Sequence, residues 1–371
     1  MQKIQVMSVF GTRPEAIKMC PLVKALEADD AIESIVCATG QHREMLQQAM
    51  AMFDVKADVN LDIMQPGQTL AGITARVLEG MAQTLMAQKP DIVLVHGDTT
   101  TSFAAGLAAF YAQTPVGHVE AGLRTDTINS PFPEELNRRL TGRIAKLHFA
   151  PTERAVQNLA REGVLEHVWM TGNTAIDALR YTVEPGYAFH EPALQGLDAT
   201  KRLVLLTSHR RENWGKPLED ICAAVLTLCS TYPDIQVVYP VHPNPIVRDV
   251  VHARLGGHPQ ILLIDPLDVR DMHNLMARAY LVLTDSGGLQ EEAPALGAPV
   301  IVLRTETERP EAVESGTAVL AGVKREDIER IASHLLSDDA AHDAMRKQVS
   351  PYGDGHASER IVAAIKGYFG R

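Results

Sequence analysis

The stretch "DIVLVHGDTTTSFAAGLAAFYAQTPVGHVE" (Asp91–Glu120) decides the fold class of this chain. Two short runs of β-branched and aliphatic residues flank a longer segment with a helical pattern. A strand, a helix and a second strand in this order are typical of a parallel βαβ unit. The same alternation recurs along the chain, and it therefore predicts an α/β fold built around parallel sheets.

Ten segments have the pattern of strands, five in each half of the chain. They read, in order, "KIQVMSVF", "IESIVCAT", "DIVLVHG", "TPVGHVE", "KLHFA", "RLVLLTS", "IQVVYPV", "QILLID", "AYLVLTD" and "APVIVL". Between the halves, residues 183–201 contain Pro and Gly and have no clear period, which is typical of a linker. We expect domains at 1–182 and 202–352, and a C-terminal helix at 353–371 that can pack back onto the first domain.

Length and charge limit the class of protein. At 371 residues the chain is long enough for about two domains of roughly 150 residues each. Its content of 46% apolar and 22% charged residues is ordinary for a globular protein with a full core. The net charge of -11 argues against a nucleic-acid-binding surface, which needs a clustered basic face. No apolar run reaches the ~18 residues of a membrane helix, so we expect neither nucleic acid nor membrane as a partner.

Cysteine usage predicts the compartment. Cys20, Cys37, Cys222 and Cys229 form no CxxC pair, which favours core thiols in a reducing cytosol over a metal site or disulfides. The initial "MQKIQVMSVFGT" has too short an apolar run for a signal peptide and has the pattern of a strand. We therefore expect a cytoplasmic protein.

The residues that follow the strands carry the functional signal. In open α/β sheets, ligands bind at the carboxyl ends of the strands. Ordinary loops are rich in Ser, Asn and Gly, whereas these loops contain His, Arg, Asp or Glu at nearly every strand end. They read "GTRPEAIK", "HGDTTT", "HVEAGLR", "TSHRREN", "PVHPNP", "TDSGGLQEEA" and "RTETERPE".

The segment "TDSGGLQEEA" predicts a phosphate site. Ser286, Gly287 and Gly288 would leave backbone N–H groups free at a helix N-terminus, where an anion binds favourably. The alternative is an ordinary tight turn. Glu292, one turn into the helix, could reach a ribose hydroxyl or could be a solvated helix residue. Arg309 in "TERPE" is a second candidate clamp, because a guanidinium binds phosphate oxygens bidentately.

The segment "GTRPEAIK" places two cations beside another helix N-terminus. Pro14 fits the first turn of that helix, and Arg13 and Lys18 would flank it. A cation is slightly unfavourable at this end of a helix, so Arg13 requires an anionic partner. That partner is either a ligand or, in the alternative, Glu15 in a surface ion pair.

Three carboxylates are candidates for proton chemistry. Glu120 and Glu134 frame the irregular part of "HVEAGLRTDTINSPFPEELNRR" (118–139). Either this loop is a solvated acidic connection, or both carboxylates face one cleft. Asp98 follows a strand where a helix begins, and its alternative role is a plain helix N-cap.

Two histidines also lie at strand ends. His209 is followed by Arg210 and Arg211, and a histidine beside cations suits an acid/base role or an anion contact near neutral pH. His242 in "PVHPNP" is interpreted as structural or peripheral. The sequence has no HExxH, Cys/His cluster or DxD pair, no GxGxxG after the first strand and no GxSxG. We therefore expect no metal, no nicotinamide dinucleotide and no hydrolase nucleophile.

Seven strings, in order and spacing, resemble the non-hydrolysing UDP-N-acetylglucosamine 2-epimerases of bacterial type. They are "GTRPEAIK", "HGDTTT", "HVEAGLRT", "PFPEELNR", "SHRREN", "LTDSGGLQEEAPALGAPV" and "TERPE". The resemblance spans the chain from Gly11 to the last helix. It implies two Rossmann-like domains facing across a cleft, similar to the GT-B glycosyltransferases, and a homodimer.

The resemblance also implies an activity without cofactor or metal. Members of the family interconvert UDP-GlcNAc and UDP-ManNAc through elimination of UDP to a 2-acetamidoglucal and its re-addition, and the product serves surface polysaccharides. The catalytic candidates that it implies are Asp98, Glu120, Glu134 and His209. The implied UDP-sugar contacts are Arg13, Lys18, Arg138, Met272, Ser286, Gly287, Gly288, Glu292 and Arg309.

Two positions depart from the family pattern. Met272 stands where some members have a Phe near the uracil. Some members also bind a second UDP-GlcNAc as an activator; here Gln41, Arg210 and His242 are the candidate contacts, while Glu44 and Gly67 depart from that pattern. The alternatives are a hydrolysing 2-epimerase that releases ManNAc and UDP, a GT-B glycosyltransferase, and a non-catalytic nucleotide-sugar sensor.

Overall fold

The structure, a computed structural model, has two compact units. It describes residues 3–40, 43–65, 67–125, 127–307 and 309–371, and it leaves out the side chains of residues 43 and 44. One unit comprises Met1–Tyr181 together with Tyr352–Arg371, and the other comprises Thr182–Pro351. Each unit has its own parallel sheet.

The first unit contains a seven-stranded sheet. Its strands are β1 (Ile4–Phe10), β2 (Ile32–Ala38), β3 (Val59–Asn60), β4 (Ile92–His96), β5 (Val116–Val119), β6 (Leu147–Ala150) and β7 (Val168–Met170). They pair in the order β3-β2-β1-β4-β5-β6-β7, and every pairing is parallel. The order reverses between β1 and β4, which is the point where ligands bind in doubly wound folds.

Helices cover both faces of this sheet. They are α1 (Arg13–Glu27), α2 (Arg43–Met52), α3 (Leu70–Gln88), α4 (Thr100–Tyr111), α5 (Glu134–Ile144), α6 (Glu153–Arg161), α7 (Thr174–Thr182) and, from the end of the chain, α15 (Ala357–Tyr368). Val6 of β1 belongs to the apolar cluster formed with α1 and α15, whereas Met7 belongs to the cluster formed with α3 and α4. Because alternate side chains enter opposite cores, both faces of the strand carry apolar residues, and five of its seven residues are apolar.

The second unit repeats the plan with six parallel strands. They are β8 (Arg202–Thr207), β9 (Ile235–Pro240), β10 (Ile261–Ile264), β11 (Leu281–Thr284), β12 (Val300–Val302) and β13 (Ala318–Leu320), in the order β10-β9-β8-β11-β12-β13. Its helices are α8 (Lys216–Thr231), α9 (Pro245–Leu255), α10 (Val269–Arg278), α11 (Gly287–Ala295), α12 (Pro310–Glu314), α13 (Arg325–Ser337) and α14 (Asp339–Arg346). The order reverses between β8 and β11, as it does between β1 and β4 in the first unit.

The predicted fold class is confirmed, and each of the ten strand segments forms a strand. Sequence reasoning missed three strands, β3, β7 and β13. They have two or three residues each and lie at the edges of the sheets. Strands this short do not contain enough residues for a periodic pattern, so only pairing with a neighbouring strand identifies them.

The four cysteines are buried free thiols, as expected. Burial raises the pKa of Cys20, Cys37 and Cys222 to about 12 and that of Cys229 to about 11. They therefore stay protonated near neutral pH and lack the thiolate form that binds metals. Within the ranges given above, no helix has the length and apolar character needed to cross a bilayer.

A buried carboxylate fastens the last helix to the first unit. Asp177 of α7 is 2% exposed and accepts hydrogen bonds from the backbone N–H groups of Ala357 (3.0 Å) and Ser358 (2.6 Å). These N–H groups start α15 and have no acceptor within the helix. Ile361 and Ile365 of α15 then pack in the same apolar core as α1.

The variant Asp177→Asn tests this attachment. Its amide can accept through only one oxygen, so at least one N–H group of α15 loses its partner. We expect the free energy of unfolding in urea to fall by about 1–3 kcal/mol, with faster hydrogen exchange in residues 357–368. The control Glu359→Gln removes one partner of an exposed ion pair with Arg180, and we expect a change within about 0.5 kcal/mol. Equal effects of the two variants would contradict the assignment.

Candidate functional site

A buried carboxylate joins two loops at the carboxyl ends of β1 and β4. Glu15 is 2% exposed, and its Oε2 accepts hydrogen bonds from the N–H groups of Gly11 (3.0 Å) and Thr12 (2.8 Å). Its Oε1 accepts from the hydroxyls of Thr99 (2.6 Å) and Ser102 (2.9 Å). Thr12 and Glu15 also form a capping box at the start of α1. Glu15 therefore fixes the loop after β1 against the loop after β4.

The alternative interpretation of Arg13 is wrong, because Glu15 faces inward. Arg13 is the first residue of α1 and is exposed. The motif "GTRPEAIK" begins with a glycine, Gly11, because a Cβ at that position would lie 2.0 Å from Thr39 Oγ1. The Arg13 side chain lies on the surface, where it remains a candidate to bind an anionic ligand.

The alternative interpretation of Asp98 is also wrong. Thr99, and not Asp98, caps α4, and its hydroxyl accepts a hydrogen bond from the N–H of Ser102 at 3.0 Å. The Asp98 carboxylate is instead paired with the guanidinium of Arg138 from α5. Arg138 also donates to Glu135 at 3.2 Å. Two predicted site residues, Asp98 and Arg138, are thus brought together.

Glu120 is held in an unusual backbone conformation. Its φ of +63° lies in the left-handed region, which is uncommon for a residue other than Gly. Its side chain is 9% exposed and pairs with the ammonium of Lys18 on α1. Asn173 Nδ2 donates to Glu120 Oε2 at 3.1 Å. Two predicted site residues, Lys18 and Glu120, are therefore in contact, and Asn173 orients the carboxylate.

Two buried histidines, His96 and His118, lie in the adjacent strands β4 and β5. His96 Nε2 is 3.7 Å from Glu120 Oε2. Burial lowers the pKa of His96, while the Glu120 carboxylate opposes this effect. Burial lowers the pKa of His118 to about 3, and its Nε2 lies 2.7 Å from the carbonyl oxygen of Gly97. A neutral His118 therefore donates from Nε2 to this carbonyl and has a structural role.

Glu134 has different surroundings from Glu120. It is the first residue of α5 and partly exposed, and within the described residues its side chain has no hydrogen bond or ion pair. A negative charge at this end of a helix is favourable. Of the two carboxylates that frame the loop, Glu120 is therefore fixed by its contacts, whereas Glu134 can rotate toward a ligand.

In the second unit, Asp285 organises the loop after β8. It is fully buried at the end of β11, and its Oδ2 accepts four hydrogen bonds. The donors are Ser208 Oγ (3.0 Å), the N–H groups of His209 (2.8 Å) and Arg210 (3.0 Å), and Asn213 Nδ2 (2.9 Å). The side-chain contacts explain Ser208 and Asn213 in "SHRREN", whereas His209 and Arg210 contribute only backbone N–H groups.

The start of α11 has the chemistry of a phosphate site. Ser286 is its N-cap without a side-chain capping bond, and Gly287 and Gly288 follow. A Cβ at Gly287 would lie within 3.8 Å of the guanidinium groups of Arg309 and Arg210. The first N–H groups of a helix lack internal acceptors, and guanidinium groups bind phosphate oxygens. This arrangement suits a diphosphate.

The other predicted residues of the second unit lie around these loops. Glu292 Oε2 is 3.6 Å from His273 Nε2, and Met272 is partly exposed on α10. The rings of His209 and His242 are stacked with their centroids 5.8 Å apart. Gln41, the remaining candidate for an activator contact, lies outside the described residues.

A further cluster of potential metal ligands has a structural use. Ligand atoms of His190, Asp268 and Asp271 lie within 4.8 Å of one another. However, His190 Nδ1 lies 3.1 Å from Asp268, and the Asp271 oxygens accept from the N–H groups of His190 (3.0 Å) and Glu191 (2.8 Å). These contacts fasten the segment before β8 to α10, so the cluster is explained without an ion.

Sequence reasoning missed three residues that hold the site, namely Glu15, Asn173 and Asp285. Glu15 and Asp285 stand inside the quoted motifs "GTRPEAIK" and "TDSGGLQEEA". Their motifs signalled a function, but only the structure shows that the carboxylates face inward. Asn173 follows β7, a strand that the sequence pattern did not predict, so no strand end pointed to it.

Comparison with known proteins gives concordant results. The profile of a family described as UDP-N-acetylglucosamine 2-epimerase matches residues 24–366. The UDP-N-acetylglucosamine 2-epimerase of Bacillus subtilis is 53% identical over 371 residues, covering 100% of this chain and 97% of that protein. The crystal structure of the Neisseria meningitidis UDP-GlcNAc 2-epimerase bound to UDP-GlcNAc is 44% identical, with a TM-score of 0.89 over 98% of this chain and 100% of that one.

A more distant structure shares the fold alone. The calicheamicin glycosyltransferase CalG4 has 16% identity and a TM-score of 0.63, over 100% of this chain and 99% of that one. The predicted similarity to glycosyltransferases is therefore confirmed at the level of the fold.

The variant Glu15→Gln tests the role of the buried carboxylate. Its amide oxygen cannot serve four donors, and its NH₂ group would face other donors. We expect the free energy of unfolding, measured in urea by circular dichroism, to fall by about 2 kcal/mol or more. The control Glu27→Gln changes an exposed residue of the same helix that pairs with Lys24, and the expected change is within about 0.5 kcal/mol. A Glu15→Gln protein as stable as this control would refute the role.

Proposed function

This chain belongs to the UDP-N-acetylglucosamine 2-epimerase family, and from that premise we propose that it interconverts UDP-GlcNAc and UDP-ManNAc by the non-hydrolysing route. One observation above all supports this activity. Asp98 and Glu120, at the ends of the adjacent strands β4 and β5, each face a cation, Arg138 and Lys18 respectively. Carboxylates and cations so close together suit a reaction that moves a proton beside a departing anion.

The chemistry requires the leaving group to depart before or with the proton. The C2 proton of the sugar is not acidic, because no carbonyl group lies beside it. When the C1–O bond breaks, its electron pair goes to the β-phosphate oxygen of UDP. Loss of the C2 proton to a base then forms the C1–C2 double bond of a 2-acetamidoglucal. Return of a proton to the other face of C2 and re-addition of UDP at C1 complete the epimerisation.

In the first unit, we assign Asp98 as the base that removes the C2 proton. Glu120 and Glu134 then act in proton return and in positioning the sugar. The contact between Asp98 and Arg138 supports a further detail: when an anionic group of the substrate binds Arg138, the Asp98 oxygen becomes available for the proton. Glu120 is fixed by Lys18 and Asn173, whereas the Glu134 side chain has no such contact within the described residues, and this difference suits two different roles.

In the second unit, we assign Ser286, Gly287, Gly288 and Arg309 to the diphosphate. Arg210 is a candidate for the same anion, because its guanidinium lies beside Gly287. Glu292 is positioned one turn into α11 for the ribose, and Met272 can pack on the face of the uracil. His209 is assigned to the leaving diphosphate.

The hydrolysing reaction and sugar transfer to an acceptor are the alternatives. Hydrolysis would use the same elimination but would let water trap the sugar. The complete strings "SHRREN" and "PFPEELNR" favour the non-hydrolysing reaction. Transfer to an acceptor does not require several carboxylates around C2, and the likeness to CalG4 concerns the fold alone.

Three further properties belong to this proposal. We infer a homodimer, supported by large exposed apolar side chains on α3 and α4, namely Met86, Phe110 and Tyr111; a monomeric mass by light scattering would refute it.

We infer a cytoplasmic location, because four free thiols suit a reducing compartment. The product would then supply ManNAc units for surface polysaccharide.

Proton NMR of UDP-GlcNAc incubated with the protein in heavy water tests the reaction. We expect deuterium at C2 in a mixture of UDP-GlcNAc and UDP-ManNAc, with little free UDP. Free ManNAc and UDP that accumulate at the rate of turnover would assign the hydrolysing reaction instead. An unchanged sugar without deuterium would refute epimerisation.

The variant Asp98→Asn tests the assignment of the base. Because the amide cannot accept the proton, we expect the rate of deuterium incorporation at C2 to fall by roughly 10²–10⁴-fold. The control Asp30→Asn alters an exposed carboxylate, and its rate should match that of the wild-type protein. If Asp98→Asn exchanges within a few-fold of this control, another group is the base.

A further inference from the structure

One oxygen of the buried Asp285 carboxylate accepts no hydrogen bond within the part of the chain that the structure describes. Oδ2 accepts all four hydrogen bonds of the loop after β8, whereas Oδ1 is buried and accepts none from any described residue. Oδ1 lies 3.3 Å from Nδ1 of His209. The His209 side chain is 42% exposed, so one side of its ring faces Asp285 and the rest reaches solvent.

Such an oxygen requires an explanation, because a buried charged acceptor without a donor is costly. The loop does not provide one, since Oδ2 alone holds it. Nδ1 of His209 is close enough that a small rotation of the ring would align an Nδ1–H group with Oδ1. Hydrogen bonds between catalytic groups often tighten when the substrate binds.

We propose that Asp285 is the positioning residue of His209. It accepts a hydrogen bond from Nδ1–H, fixes the neutral imidazole in that tautomer and leaves Nε2 directed away from the protein core. This inference rests on the proposed function, in which His209 faces the leaving diphosphate. Asp285 itself touches neither substrate nor reacting atoms.

The proton balance of the step is closed. Nε2 of the neutral ring first takes up a proton from solvent; as the C1–O bond breaks, the electron pair passes to the β-phosphate oxygen, and the resulting His209 imidazolium donates this Nε2 proton to that oxygen. The neutral ring that remains keeps its proton on Nδ1, where Asp285 holds it. When UDP re-adds at C1, the same proton returns to Nε2. The carboxylate of Asp285 stabilises the imidazolium in both directions.

The other groups around His209 favour the neutral ring. Burial lowers the pKa of His209, and His242 from the loop after β9 and Arg210 from the loop after β8 lower it further. The Asp285 carboxylate acts in the opposite direction and raises the pKa. Without this charge, the imidazolium would lose its nearby source of stabilisation.

The variant Asp285→Asn distinguishes the role of Oδ1 from the role of Oδ2. Because four donors converge on the Oδ2 position, the amide oxygen must occupy it, and the NH₂ group then stands at the Oδ1 position. A donor facing Nδ1 forces the neutral imidazole into the Nε2–H tautomer. The control Ser208→Ala removes one donor of Oδ2 and loosens the same loop without changing Oδ1.

We would record two-bond ¹H–¹⁵N spectra of the full-length protein labelled with ¹⁵N-histidine, over a range of pH. The His209 signals are identified by their loss in His209→Gln. We expect the Nδ1–H tautomer in the wild-type protein and in Ser208→Ala. We expect the Nε2–H tautomer and a lower pKa of His209 in Asp285→Asn. In steady-state epimerisation, we expect kcat of Asp285→Asn to fall by roughly 10²-fold or more, with KM changed far less.

The wild-type spectrum alone can overturn the proposal, even if Asp285→Asn does not fold. An Nε2–H tautomer in the wild-type protein would do so, as would an unchanged tautomer in Asp285→Asn or a kcat equal to that of Ser208→Ala. The tautomer is measured without turnover. A failure of the proposed epimerisation in heavy water is therefore distinguishable from a failure of this inference.

Discussion

The loops of both units depend on a carboxylate buried at the reversal point of each sheet. Glu15 and Asp285 each accept four hydrogen bonds from loop N–H, hydroxyl or amide groups. Burial of a charge is costly unless such donors replace the lost water. Since all four donors converge on one group, the loops can hardly move separately. The exposed side chains of these loops, Arg13 and His209 among them, therefore have fixed starting points.

Much of the fold follows from the sequence because parallel strands are buried on both faces. A strand such as β1 is then mostly apolar on both faces, and the short length of its apolar run indicates a strand. The edge strands β3, β7 and β13 could not be predicted in this way, because two or three residues are too few to form a recognisable apolar run. Their pairing depends on neighbours that are distant in the chain.

The site was predictable in residue type but not in geometry. Asp98 and Thr99 are both good N-cap residues, so the sequence does not decide which of them caps α4. The structure decides it, because the Thr99 hydroxyl is within reach of both Ser102 and Glu15. The contact between Asn173 and Glu120 joins residues 53 positions apart in the chain. The positive φ of Glu120 cannot be predicted from its residue type, because glutamate rarely adopts it. Long-range contacts of this kind are decided by tertiary packing.

The return of α15 to the first unit has a consequence for biosynthesis. In chain order, residues 182–351 are inserted between the two segments that build the first unit. The apolar cluster of α1 therefore lacks Ile361 and Ile365 until α15 has been synthesised. All residues of the second unit are synthesised before α15, whereas the first unit, although begun earlier, must wait for α15 with part of its apolar surface uncovered. In this chain the unit that begins first is the last to be finished.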